Sequence, residues 1–201
     1  FGVRQAKERD IRSLFFSWQN IHQTYPPPFR WMEKWVLQQV DYALFGNEAA
    51  AGVSRAKGYR GPYQVVPQFG VDPALFHPPA RRDSGRALTI GAAGRLVPEK
   101  GLDILLDAAA VLPGIWRLHI AGEGPERGAL ERLAQELGIG ERVIFDGAIP
   151  SMAMPAYLRE LDVLVLPSRT RARWKEQFGR ILIEAMASEV AVVGAASGEI
   201  P

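Results

Sequence analysis

Two glutamates eight positions apart, Glu176 and Glu184, stand in the stretch WKEQFGRILIEAMA at positions 174–187. A helix beginning just after Glu176 would put one carboxylate at its mouth and the other about two turns in, with Gly179 leaving backbone exposed between them. At ~1.5 Å of rise per residue, eight positions cover on the order of 12 Å, comparable to the distance from the ribose to the far sugar of a nucleotide diphosphate sugar. Ionised carboxylates only accept hydrogen bonds, which suits Glu184 to ribose hydroxyls and Glu176 to sugar hydroxyls. The N–H groups around Phe178, Gly179 and Arg180 would then face the diphosphate, as helix starts commonly do. The plain alternative is a pair of solvated glutamates, the usual state of that side chain.

A second constellation lies in GRLVPEKG, positions 94–101, where Arg95 and Lys100 bracket the turn from a strand into a helix. Two cations beside the free N–H groups and dipole of a helix start make a diphosphate cradle that needs no metal. A solvated charged turn is the competing reading. GEGPERG, positions 122–128, imitates a dinucleotide fingerprint, but its third glycine comes one residue late and it follows the second strand of its unit rather than the first. A tight glycine turn that helps line a cleft is the simpler account. His22, His77 and His119 are widely spaced, and no D-x-D pair occurs, so no metal site is expected.

The whole chain sets the limits on this chemistry. Its 201 residues are 47% hydrophobic and 23% charged, with a formal net charge of +2, which suits a soluble globular protein and gives no reason to expect nucleic acid. The absence of cysteine excludes disulfides, a thiolate nucleophile and cysteine-bound zinc. No run approaches the ~18 apolar residues of a membrane span, and no leader is visible. A cytoplasmic protein is expected, with a peripheral seat on the inner face of the membrane as a variant of that expectation. The chain opens on Phe1 and closes on Pro201 after an apolar run, and so reads as a piece cut at both ends.

Strand-then-helix units position these residues. ALTIGAAG (87–94) reads as a buried strand and KGLDILLDAAAVL (100–112) as a helix with Leu102, Leu105, Leu106, Ala109 and Leu112 on one stripe. The unit recurs as WRLHIAG and RGALERLAQELG, RVIFDG and MPAYLREL, DVLVLPS and QFGRILIEAMAS, ending on the strand VAVVGA. Such alternation predicts a parallel sheet covered on both faces. The first part is also α/β: a helix to Arg12, the strand SLFFSW, a Pro-rich loop, the helix RWMEKWVLQQV, the strand YALFG, a helix over 47–58, then YQVVPQ. The expected division is a domain over 1–71, a connection over 72–86 rich in turn formers, and a second domain over 87–201. Trp31, Met32, Trp35 and Val36 near Arg30 and Lys34 form an aromatic stripe, expected to pack on the first sheet and otherwise suited to a lipid surface.

Taken in order, VVPQFGVDPALFHP, GAAGRLVPEKGLDILLDAAAVL, LHIAGEGPERGALERLAQELG, RVIFDGAI, AYLRELDVLVLPS, EQFGRILIEAMA and VVGAASGEIP resemble the family 4 retaining glycosyltransferases of the GT-B fold over at least residues 65–201. The resemblance implies two Rossmann-like domains facing a cleft, both incomplete here. It also implies a UDP- or GDP-sugar donor held by the second domain as substrate, no cofactor, no metal, and transfer with retained configuration to a saccharide or lipid-linked hydroxyl. By position, Arg95 and Lys100 resemble the pair that neutralises the leaving diphosphate, Glu176 the donor-sugar ligand and Glu184 the ribose ligand. Gly147 and Ala148 resemble the place where backbone meets the base. Two departures stand out. Phe69 occupies a position where asparagine is usual, and in FFSWQNIHQTYP the place of an expected N-domain histidine falls to Gln19 or Asn20, with His22 just beyond.

Rival readings remain open at this level. An epimerase or phosphorylase of the same fold would not depend on a separate acceptor in the same way. A non-catalytic module would bind nucleotide sugar without turnover, and an oxidoreductase would bind a nicotinamide cofactor.

Overall fold

The computed structural model of the chain describes residues 2–67, 69–80 and 85–200; Gln68 of the predicted YQVVPQ strand, Arg81 to Ser84 of the expected connection, and the terminal Phe1 and Pro201 lie outside them. The chain divides into two compact units. The first comprises Phe1–Phe69 together with Arg173–Gln177, and the second comprises Gly70–Ala172 and Phe178–Pro201.

In the first unit, helix α1 (Gly2–Glu8) precedes β1 (Leu14–Ser17), α2 (Phe29–Gln39), β2 (Tyr42–Phe45), α3 (Glu48–Ala56) and β3 (Tyr63–Val65). The three strands pair in parallel in the order β1-β2-β3. Helix α1 stops at Glu8, short of the predicted Arg12, and Asp10 follows at a positive φ of 55° that no helix continues. The core forms where Leu37 and Val40 from the end of α2 meet Ala43 and Phe45 of β2 and Ala50, Ala51 and Tyr59. Phe15, Phe45, Tyr59 and Tyr63 meet edge to face, with ring centroids of neighbouring pairs 5.5–6.2 Å apart, the arrangement that aromatic quadrupoles favour.

The aromatic stripe of α2 departs from expectation. Trp31 is 62% exposed and Met32 58%, with Trp35 and Phe29 also turned outward, while only Val36 of the predicted set packs against the core. The phase of the helix explains the two tryptophans: Val36, Leu37 and Val40 stand at i, i+1 and i+4 and claim the inner face, which leaves Trp31 and Trp35 on the opposite side.

The second unit carries β4 (Leu88–Ala93), α4 (Leu102–Ala110), β5 (Trp116–Ala121), α5 (Arg127–Glu136), β6 (Val143–Gly147), α6 (Met154–Arg159), β7 (Val163–Leu166), α7 (Arg180–Ala187) and β8 (Ala191–Gly194). All five strands are parallel, in the order β6-β5-β4-β7-β8. In sequence terms this is 3-2-1-4-5, the doubly wound order, whose direction of winding reverses between β4 and β7. Two cores form in this unit. One gathers Leu102, Leu105, Leu106 and Ala109 of α4 and Leu130 and Ala134 of α5 with residues of β4 and β5. The other gathers Leu158, Leu182 and Ala185 with Leu164 and Leu166 of β7, and Phe76 from the segment after residue 70 is buried in it. Apolar runs on the strands and apolar stripes on the helices thus give the two-sided cover that parallel sheets require. Leu112, counted on the α4 stripe from sequence, is 40% exposed because the helix ends at Ala110.

No helix among the described residues is long and apolar enough to cross a membrane.

Candidate functional site

The loops at the carboxyl ends of the second sheet are built first by glycine. After β4 the chain passes Gly94, Arg95 and the buried Leu96, makes a 3-10 turn over Pro98–Lys100, and turns through Gly101 at φ 64° into α4. A Cβ on Gly101 would stand 2.2 Å from the carbonyl oxygen of Pro167, so only glycine lets this loop touch the one that follows β7. A Cβ on Gly122 would stand 1.8 Å from the carbonyl oxygen of Gly94, and one on Gly124 2.2 Å from that of Leu96. The first two glycines of GEGPERG are therefore accounted for by contact between two backbones. Its third, Gly128, lies inside α5, where a Cβ would make only an ordinary 3.6 Å contact with the end of the Arg132 side chain.

Backbone hydrogen bonds join these loops into one platform. Gly94 N–H donates to Ala121 O at 2.9 Å, Leu96 N–H to Glu123 O at 3.0 Å, Gly122 N–H to Gly147 O at 2.7 Å and Arg169 N–H to Glu99 O at 2.8 Å. The Arg169 guanidinium also pairs with Asp103 in the first turn of α4. On this platform Arg95 and Lys100, predicted together, do come together: both line a crevice of about 10 Å³ with the last residues of β4, β5 and β7. Arg95 is exposed and Lys100 half-buried. Gly147, at φ 74°, stands half-buried at the end of β6 with Ala148 exposed beside it.

Helix α7 begins later than the sequence suggested. Gly179, in the left-handed region at φ 70°, is its N-cap, and Arg180 is its first residue. Gly179 is buried, with Leu166, Leu182 and Ile200 within 3.4 Å of where its Cβ would be. Glu176 consequently lies four residues upstream of the helix and outside it, and the estimate of about 12 Å between the two carboxylates, which assumed helical rise, does not apply. Glu176 belongs to the first unit and Glu184 to the second.

Glu184 itself is not a solvated helix glutamate. It is 6% exposed, and its Oε1 accepts the Arg180 Nε–H at 2.7 Å across one turn. Burying a carboxylate is costly unless it is paired, and here the partner is a guanidinium whose own side chain is 60% exposed. Phe178 is half-buried just before the helix, which has no side-chain cap. Hence the first-turn N–H groups of α7, the exposed cation and a buried carboxylate share one helix start.

In the first unit, two cavities flank the segment after β1. The larger, about 620 Å³, is lined by residues 16–21, Gln23, Tyr25 and Arg173–Gln177, and so includes Gln19, Asn20 and Glu176. The smaller, about 430 Å³, is lined by His22 with Arg30, Trp31, Glu33, Lys34 and Lys57 among others. The structure thus brings Gln19 and Asn20 to the cavity of Glu176 and places His22, an exposed loop residue, in the other one. The side-chain oxygen of Gln19 accepts from Lys57 Nζ at 3.3 Å, and Lys57, its side chain 8% exposed, is ion-paired with Glu33 at 2.7 Å. Asn20 is 4% exposed and donates its amide to the Glu176 carbonyl at 3.2 Å. Lys57 has no signal in the sequence beyond a helix boundary, because its partners lie 38 and 24 positions away along the chain.

Comparison with known proteins agrees with this architecture. Residues 79–201, more than half of the chain, match the family described as glycosyl transferases, group 1. Among curated relatives, the chain is 35% identical over 162 residues to the GDP-mannose-dependent alpha-(1-6)-phosphatidylinositol monomannoside mannosyltransferase of Mycolicibacterium smegmatis, covering 76% of this chain and 42% of that protein. It is 36% identical over 192 residues to the D-inositol 3-phosphate glycosyltransferase of the same organism, covering 87% and 42%. The chain therefore spans less than half the length of these relatives. Among solved structures, the sucrose-phosphate synthase of Thermosynechococcus elongatus superposes with a TM-score of 0.74 at 25% identity over 98% of this chain and 53% of that one. HepE of Anabaena, solved in complex with UDP, gives 0.75 at 21% identity over 98% and 57%, a likeness of fold. The parallel α/β units are those of the GT-B fold, and the chain belongs to the group 1 glycosyltransferases.

Proposed function

We propose that the protein moves a hexose from a UDP- or GDP-linked sugar to a hydroxyl of a saccharide or lipid-linked acceptor, with retention at the anomeric carbon. The observation that carries this reading is the carboxyl edge of the second sheet. Arg95 and Lys100 share one crevice at the point where the strand order reverses, and a buried Glu184 sits one turn into the neighbouring helix. Ligands of open α/β sheets bind at that edge.

In this reading Arg95 and Lys100 neutralise the charge that develops on the leaving diphosphate. The crevice they line, about 10 Å³, holds at most one water molecule, so the diphosphate lies over it rather than in it. The N–H groups around Phe178, Gly179 and Arg180 take the diphosphate from the side of α7, Glu184 takes the ribose hydroxyls, and backbone at Gly147 and Ala148 meets the base. Glu176 takes hydroxyls of the donor sugar. Two cations and a helix start supply the electrostatic stabilisation without a metal.

The reading is tested by calorimetric titration of the full-length protein with UDP, GDP, UDP-glucose and GDP-mannose in EDTA. One nucleotide series is expected to bind. Glu184→Ala should weaken the free nucleotide and the nucleotide sugar alike, by about 10- to 100-fold or 1.4–2.7 kcal/mol. Glu176→Ala should weaken only the sugar-bearing ligand. Equal losses for both ligands in both variants would remove the division of labour, and no binding by a folded protein would remove the donor site.

A lipid-linked acceptor is favoured by one further feature, the outward face of α2, where exposed Trp31, Met32 and Trp35 stand beside exposed Arg30 and Lys34. Apolar rings flanked by cations suit the interface of an anionic bilayer. Sedimentation with vesicles containing anionic lipid should fall several-fold in a Trp31→Glu, Trp35→Glu variant; unchanged sedimentation would favour a free saccharide.

A further inference from the structure

Five residues of the chain, Arg173–Gln177, are separated by the whole of Gly70–Ala172 from the rest of the first unit and nevertheless belong to it. Three side-chain amides hold this strap. Asn20 Nδ2 donates to the carbonyl of Glu176 at 3.2 Å, Asn47 Nδ2 donates to the carbonyl of the next residue, Gln177, at 3.3 Å, and Gln177 Nε2 donates back to the carbonyl of Trp18 at 3.2 Å. Trp18 and Asn20 follow the end of β1, and Asn47 follows the end of β2. The strap is therefore tied to the carboxyl edge of the first sheet.

The two asparagines are unusual in their burial. Asn20 is 4% and Asn47 5% exposed, and a buried amide is retained at low cost only when its hydrogen bonds are made. The orientation of Asn47 is fixed from the other side: its Oδ1 accepts the Ala50 N–H at 2.8 Å as the N-cap of α3, which leaves Nδ2 to face the strap. One side chain thus starts a helix and grips the chain beside Glu176.

We infer that Asn20 and Asn47 are positioning residues: by holding two consecutive carbonyls, of Glu176 and Gln177, they set where the Glu176 carboxylate stands in its cavity. The inference rests on the reading of Glu176 as the donor-sugar ligand. It assigns neither asparagine a contact with substrate. Asn20, a candidate from sequence for the place of a catalytic histidine, has its amide engaged by the main chain instead.

Aspartate at these positions dissects the roles. Asn47→Asp keeps the shape and the acceptor that caps α3, aspartate being as good an N-cap as asparagine, but removes the donor and sets a carboxylate oxygen against the Gln177 carbonyl. Asn20→Asp does the same at Glu176. The readouts on the full-length protein are the rate of trypsin cleavage after Arg173 and Lys175, followed by mass spectrometry, and the steady-state kinetics of sugar transfer. The double variant is expected to be cut at least tenfold faster at those two bonds while cleavage at tryptic sites elsewhere in the chain rises far less, and its Tm should fall because two carboxylate oxygens are buried without a donor. Its kcat should fall 10- to 100-fold while affinity for the free nucleotide is kept, and Asn47→Gln, which restores a donor, should recover part of the loss. Unchanged cleavage overturns the clamp, and faster cleavage with unchanged kcat overturns the positioning role. A wild-type protein that turns over no donor would instead overturn the transferase reading, and the cleavage rates would still decide whether the clamp exists.

Discussion

Lys100→Ala is expected to lower the rate of sugar transfer by about 10²–10³-fold, the loss found when one preorganised stabiliser of developing charge is deleted from a site. A diphosphate leaving group gains negative charge as the glycosidic bond breaks, so a cation placed there is worth more in the transition state than in the bound donor. The loss should therefore appear mainly in kcat. Lys100 is half-buried at the end of its 3-10 turn and lines the crevice at the end of β4, which restricts where its ammonium can go. Arg95→Ala should act in the same sense, and the double variant should lose less than the product of the two, because both cations serve one group. Arg95 is exposed and its removal empties no core, so Tm should hold. Single-turnover rates at saturating donor are the check, and a Lys100→Ala protein with near wild-type kcat would take the residue out of the mechanism.

The largest loss of stability is expected from Gly122→Val. Its Cβ would meet a backbone carbonyl oxygen at 1.8 Å, and the residue holds φ 138°, where side chains are rarely accommodated. The neighbour is main chain on a stitched loop and has no rotamer to change. Backbone strain and overpacking together cost roughly 2–5 kcal/mol, which for a protein of this size lowers Tm by roughly 5–20 °C. Gly128→Ala is the contrast: the new Cβ would stand 3.6 Å from Arg132 Nη1, the end of a flexible side chain, and the position is helical, so a small gain is expected. Scanning calorimetry of both variants separates a glycine required by close packing of two backbones from one that is not.

Local pattern carried most of the second unit. The apolar residues Leu102, Leu105, Leu106 and Ala109 were legible as one face of a helix and are all buried, and a strand followed by turn and helix correctly put Arg95 and Lys100 at a carboxyl edge. Pattern failed where residue type outweighed phase. The aromatic cluster around Trp31 suggested a core face, but a helix has one inner side and Val36, Leu37 and Val40 occupy it. The sequence places the start of α7 too early because the residues before it carry helix-forming side chains, whereas the boundary is set by the left-handed Gly179. Burial of Glu184 had no local signature at all, since it depends on what the helix packs against. The asparagine clamp was beyond reach for the same reason: its hydrogen bonds join residues 156 and 130 positions apart.

That clamp also bears on how such chains can be recombined. A crossover placed at the junction near residues 69 and 70, to exchange the second half for that of a relative, would import a foreign strap at Arg173–Gln177 and ask it to fit asparagines inherited from the other parent. Chimeras of this family should therefore tolerate exchange best when the segment around residues 173–177 travels with the sequence that contains positions 20 and 47. In this chain the first unit is interleaved with the second along the sequence, so the expected unit of exchange is not a contiguous half of it.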